Sequence, residues 1–277
     1  MRSKKPENRK VIGIDLAGSP KGDTGICTLE GDSITSCTVV RTDEQIIHYV
    51  AKANPALIAI DAPLNLPPGR KSIEDRTGEH FRGCDRELLR RRIPFFPITL
   101  GPMRSLTERG IRMKRALTRC GYTVIETYPG AAQDIWNIAR KQEGLLKLLR
   151  GLQRLGVKGL HRKMSGDELD AVTAALVGRC FLDGEAEVLG SFTRGAIVIP
   201  RAKGLPKAYT TPINPPRVRG HCGRVTGVHL SRLASEKPRV PHHGHPNRIS
   251  AIATCKRAAN ADRQVCQRSE MIEKLSN

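Results

Sequence analysis

Apolar positions along this chain fall into two patterns, unbroken runs and helical stripes. Val11-Ile12-Gly13-Ile14 and Ala56-Leu57-Ile58-Ala59-Ile60 are unbroken runs with β-branched members, as in strands covered on both faces. Residues 10–16, 24–30 and 33–41 read as three strands. The last two are joined by Glu30-Gly31-Asp32-Ser33, a turn with hairpin chemistry. Helical spacing runs from Asp43 to Lys52, with Ile46, Ile47 and Val50 on one side, until Asn54-Pro55 stops it. Arg104 to Cys120 repeats Leu106, Gly110, Met113, Leu117 and Cys120 as one stripe, and Gly121 is its C-cap. Tyr122-Thr123-Val124-Ile125 is a further strand. Gln133 to Leu155 is one long helix or two, with Ile135, Ile138, Leu145, Leu148, Leu149, Leu152 and Leu155 as its buried side. Ser165-Gly166-Asp167-Glu168 is a capping box that opens a helix running to Leu182. Residues 186–189 and 196–199 form a last small hairpin.

Three of these strands end in acids: Asp15, Asp61 and Glu126. Asp15 alone has a simple alternative, capping the Gly18-Ser19 turn through its own backbone. The second run weakens that alternative, because Ile-Gly-Ile-Asp and Ile-Ala-Ile-Asp mirror each other and adjacent strands place both aspartates at one sheet edge. The late helix adds Asp170 and Asp167, on one side with Ala171, Ala174, Ala175 and Gly178. Small residues let a helix lie close to a sheet, so its acids face the strand ends. Asp167 also suits the first helical turn through the macrodipole, whereas Asp170 lies beyond that turn. Carboxylates gathered at one edge cannot all stay ionised without cations. Oxygen ligands of this kind suit Mg²⁺ or Mn²⁺. Two such ions ~3.5–4 Å apart activate a water and stabilise the leaving oxygen in phosphodiester cleavage.

Charge points to the same chemistry. The chain of 277 residues carries net charge +20, with a pI of about 10.1. Such a balance favours a polyanion, nucleic acid before membrane. Residues 203–277 hold 14 Lys and Arg against 4 Asp and Glu, and the rest of the chain holds 33 against 23, so the folded part is basic in its own right. No apolar segment approaches the ~18 residues needed to span a bilayer. The eight cysteines show no Cys-x-x-Cys spacing, and with no export signal they read as reduced thiols in the cytoplasm. Residues 1–9 read as a flexible basic leader. Residues 203–277, with 7 of the 18 prolines and no sustained period, read as a disordered basic tail. Its Cys222, His229, His242, His243, His245 and Cys255 have no zinc-site spacing.

Between Ala62 and Met103 the chain is irregular and proline-rich, as functional loops often are. Its centre, residues 82–92, is a short basic helix carrying Arg82, Arg86, Arg90 and Arg91, which is either a solvated face or a lid that contacts phosphates. With aromatic residues only 4% of the chain, duplex or branched nucleic acid is the expected partner rather than a stacked single strand.

Taken as an ordered set, these motifs resemble a known family. Acids after the first and fourth strands and in a late Asp-Glu-Leu-Asp-Ala-Val helix resemble the ribonuclease H-like fold, and the late helix is similar to that of RuvC-type junction resolvases. IGIDLAG, IAIDAPL, RGCDRELLRR, ETYPGA and DELDAVTAAL together resemble domain of unknown function 429, whose members are regarded as predicted nucleases. The resemblance covers residues 10–201. It implies an α/β domain over 10–202: a ribonuclease H-like mixed sheet, with a three-strand antiparallel meander plus parallel strands, flanked by helices. It also implies metal-binding and catalytic roles for Asp15, Asp61, Glu126 and Asp170. Two other readings stand beside a metal-dependent nuclease. One is a non-catalytic nucleic-acid-binding module of the same fold. The other is an actin-like or sugar-kinase ATPase, which needs a second Asp-x-Gly phosphate loop and a later Gly-Gly loop that the sequence lacks. DNA against RNA, endo- against exonuclease and oligomeric state are left open.

Overall fold

The computed structural model describes residues 10–202. The leader and tail expected at 1–9 and 203–277 lie outside the described residues. The first run becomes β1, Lys10–Asp15, which pairs antiparallel with β2, Thr24–Glu30, itself antiparallel to β3, Ser33–Val40. The chain crosses through α1, Asp43–Ala53, to β4, Leu57–Asp61, which lies parallel to β1 on its other side. Helices α2, Gly83–Arg90, and α3, Gly101–Arg119, precede β5, Val124–Thr127, parallel to β4. Then come α4, Pro129–Ile135, a 3₁₀ turn at Lys141–Glu143, α5, Leu145–Arg154, and α6, Gly166–Asp183. The hairpin of β6, Ala186–Ser191, and β7, Gly195–Pro200, closes a seven-stranded sheet of order β3-β2-β1-β4-β5-β7-β6. An antiparallel meander joined through its first strand to parallel strands is the mixed, ribonuclease H-like sheet that the sequence resemblance implied.

Local chemistry accounts for the element ends. Thr42 and Ser165 each form a reciprocal capping box, with Gln45 and Glu168. Asn54 and Gly184 end their helices in the left-handed region. The stretch expected as one or two helices from Gln133 is broken by positive φ at Asn137 and Gly144. Leu145, expected on the buried side, is 42% exposed, whereas Leu148, Leu149 and Leu152 are buried.

The two sheet faces differ. Val11, Gly13, Leu57 and Ala59 point toward α6, and Ile12, Ile14, Ile58 and Ile60 alternate with them on the opposite face. On the opposite side, α1 buries Ile46, Ile47 and Val50, and α3 buries Met113, Ala116 and Leu117, tied together by the Arg109–Asp43 ion pair at 2.8 Å. Helix α6 lies directly on the meander. A Cβ on Gly13 would stand 1.9 Å from the Ala171 carbonyl oxygen, and one on Gly25 would stand 2.1 Å from that of Asp167. The small-residue face of α6 and these two glycines are therefore one contact, and it fixes where Asp167 and Asp170 meet the strand ends. Among the described residues no helix is long and apolar enough to cross a membrane.

Candidate active site

Parallel pairing sets the site. Asp15 is the register partner of Asp61, so the two carboxylates leave the same end of adjacent strands on the same face. That face is the one α6 covers, and α6 brings Asp170 and Asp167 to the same edge. The turn after β1 does not need Asp15 as a cap. Thr24 Oγ1 accepts from Ala17 N at 3.1 Å, and the buried Arg109 guanidinium donates to the carbonyls of Ala17 and Ser19 at 2.8 and 2.9 Å.

At the centre of the cluster stands a cation that sequence reasoning missed. Lys141 Nζ lies 3.0 Å from each of Asp15 Oδ2, Asp167 Oδ1 and Asp170 Oδ2. No local pattern marks this lysine. It sits in a 3₁₀ turn far in sequence from Asp15, and only the tertiary fold brings it there. Asp170 is fixed from its other side by the buried Gln133, whose Nε2 donates to Asp170 Oδ1 at 2.7 Å and to Thr173 Oγ1 at 3.3 Å. Burial pushes the Asp15 carboxyl up to about 7; Asp170 and Asp167 push the same way and Lys141 opposes them. Asp61 is raised well above the usual carboxylate range by burial, then by Asp15 and Asp170. Burial alone would lower Lys141, but Asp15 and Asp170 outweigh it and hold the ammonium protonated. The carboxyl groups thus outnumber the one ammonium among them, which favours the protonated forms of Asp15 and Asp61.

Glu126 does not join it, which corrects the expectation that all three strand-end acids converge. Its register partner is Ile60, one position short of Asp61, whose partner is Thr127. A one-residue offset reverses the face. Glu126 therefore points away from α6, into the layer that holds the loop at 62–103. There Arg82 donates to Glu126 Oε2 at 2.7 Å and to Oε1 at 2.8 Å, and Leu64 N donates to Oε2 at 2.8 Å. Arg82 also donates through Nε and Nη2 to Asp85, at 3.1 and 2.8 Å. Burial raises Glu126, against the opposing pull of Arg82. Arg82 itself is only 1% exposed, so the surface phosphate contact expected of it is corrected to an interior ion pair. Arg86, Arg90 and Arg91 are on the surface, paired with Glu79, Glu87 and Glu187 respectively.

The donor set at Asp15, Asp61, Asp167 and Asp170 is all oxygen and already holds a cation, which suits a hard divalent ion. Among the described residues, however, no three His, Cys, Asp or Glu side chains are drawn together tightly enough to hold a metal as they stand. Lys141 stands among these acids instead, 3.0 Å from three of them.

Sheet order and layering define a ribonuclease H-like α/β domain. Within that class the chain belongs to the family described as Protein of unknown function (DUF429), whose model matches residues 13–193. No curated protein matches it. Among solved structures the chain is similar to the Thermus thermophilus RuvC structure, with TM-score 0.37 and 16% identity, over 63% of this chain and 96% of that one.

Proposed function

We propose that the chain is a divalent-metal-dependent nuclease that hydrolyses phosphodiester bonds in nucleic acid. The observation that carries this reading is the carboxylate cluster holding one cation at the carboxyl end of parallel β1 and β4. Asp15, Asp61 and Asp170, with Asp167 at the rim, would hold Mg²⁺ or Mn²⁺. A bound ion would supply a water activated near neutral pH and neutralise charge on the leaving oxygen. Gln133 orients Asp170, and Arg109 fixes the turn that follows Asp15. Lys141 holds the cluster together in the absence of metal and must withdraw for an ion to enter. The net basic charge attracts a polyanion, and Arg86, Arg90 and Arg91 serve as phosphate contacts by exchanging their carboxylate partners for the nucleic-acid backbone.

The test is a Mg²⁺ and Mn²⁺ screen on duplex, branched and single-stranded DNA and RNA, run beside Asp15→Asn. Cleavage should require the divalent ion and be lost in the variant. Divalent ions that neither raise the melting temperature nor support cleavage would sink the reading. One observation favours a second reading, a non-catalytic nucleic-acid-binding module: Lys141 already satisfies three of the acids and can serve as a permanent counter-ion. Binding to nucleic acid with no metal-dependent turnover selects that reading.

A further inference from the structure

Beyond the acid cluster, the loop at 62–103 builds a cavity of about 180 Å³ that opens against Asp61. Its walls are mainly apolar and aromatic, including Phe95, Phe96, Ile98, Met103, Leu106 and Tyr128. Phe96 is 73% exposed, a large apolar ring left in water beside the cavity. The polar groups lining it are Asp61, Thr127 and the Arg82–Asp85–Glu126 network. Three carboxylates against one guanidinium make this a poor place for a phosphate. The arginines of α2 that remain on the surface are absent from the lining. The guanidinium already engages both oxygens of Glu126 and both of Asp85, so the network presents the cavity with paired groups rather than a free charge. A small, flat, uncharged ring fits such walls; a charged group does not.

Asp61 belongs to both places: it lines the cavity and is the register partner of Asp15. We propose that this cavity receives one unstacked base of the nucleic acid whose backbone lies across the Asp15–Asp61 edge. The inference rests on the nucleic-acid reading above and narrows its substrate to strands offering an unpaired or splayed nucleotide, such as a junction, bulge or end. It also revises the sequence expectation that stacking is unimportant here, because the fold gathers Phe95, Phe96 and Tyr128 around one opening.

The experiment is a binding scan by fluorescence anisotropy, with no divalent metal present. Short DNA and RNA strands carry a single abasic residue moved position by position. The expected result is one position where base removal weakens binding about tenfold, the scale of losing one base–aromatic stack, with its neighbours little affected. Phe96→Ala, at an exposed residue, and Met103→Trp, which fills the cavity, should flatten that scan and leave affinity for the abasic strand unchanged. An equal affinity at every position in the parent protein overturns the proposal, as does a Met103→Trp protein that keeps the parent's scan. Metal-dependent cleavage with a flat scan defeats the base pocket alone. A position-dependent scan without cleavage defeats the nuclease reading alone. No binding to any strand defeats both.

Discussion

Two ion clusters stand on opposite faces of the same sheet, and each pairs acids from a strand and a helix with a single cation. On the α6 face, Asp15, Asp167 and Asp170 share Lys141, a single ammonium on a short turn, 29% exposed at its side chain. On the other face, Glu126 and Asp85 share Arg82, a planar guanidinium sealed in the interior and engaged by both acids. The first cluster has more carboxyl groups than its one ammonium can pair, and its counter-ion is near solvent. The second is closed, its guanidinium forked between two carboxylates. Two acids that look equivalent in sequence, Asp61 and Glu126, are thus divided between a half-open cluster and a closed one.

The sharpest way to break this comparison is to remove Arg82. Arg82→Met leaves Glu126 and Asp85 buried without a partner, and the expected loss is ~3–5 kcal/mol of stability, measured by urea denaturation. Adding Glu126→Gln and Asp85→Asn should recover much of it. A single variant as stable as the parent would show that this cluster is not closed at all.

Next in size is the pH response of the open cluster. The Asp15 carboxyl is raised to about 7 from 3.8, so the folded protein binds its proton more tightly than the unfolded chain does. Its effect on stability is therefore favourable below about 4 and is lost as pH rises toward 7. The metal-free melting temperature should fall across that window, and Asp15→Asn should flatten the slope. A melting temperature that rises across the same window in the parent protein, but not in Asp15→Asn, would reverse the sign argued here.

Replacing the counter-ion comes third. Lys141→Met should cost about 1–3 kcal/mol in metal-free buffer at neutral pH, because three carboxylates are left without their partner. Mg²⁺ should then raise the melting temperature more than it does in the parent, by mass action on a site no longer blocked. An unchanged response to Mg²⁺ would mean that ammonium and metal do not compete. Smallest of all should be the stability effect of replacing Arg86, Arg90 and Arg91 together with Ala. Their ion pairs lie at the surface, each worth ~0–1 kcal/mol. Nucleic-acid affinity should nevertheless fall on all sequences, with the salt slope reduced by ~0.9 for each phosphate that is no longer neutralised.

The elements were largely legible because the signals were local. The capping boxes at Thr42 and Ser165, the unbroken runs at β1 and β4, and the small residues of α6 each constrain a few neighbouring positions. The pairing of Asp15 with Asp61 was also legible, since two matching runs with matching final acids align as parallel neighbours. Glu126 was misplaced because a strand-end acid says nothing of register, and one residue of offset sends it to the other face. Arg82 had a readable hint: Asp85, three residues on, completes a local pair that takes the guanidinium out of service for phosphate. Lys141 and Gln133 left no such trace, because their partners come from distant parts of the chain.

The contact of Gly13 and Gly25 with the α6 backbone has a mechanical consequence. With helix and strands in direct backbone contact, no side-chain layer can yield between them, so β1, β2 and α6 form one stiff body. Their amides should be the slowest in the molecule to exchange with solvent. Asp15, Asp167 and Asp170 are anchored in that body, whereas Lys141 hangs from a three-residue 3₁₀ turn. The anions are clamped and the cation is tethered.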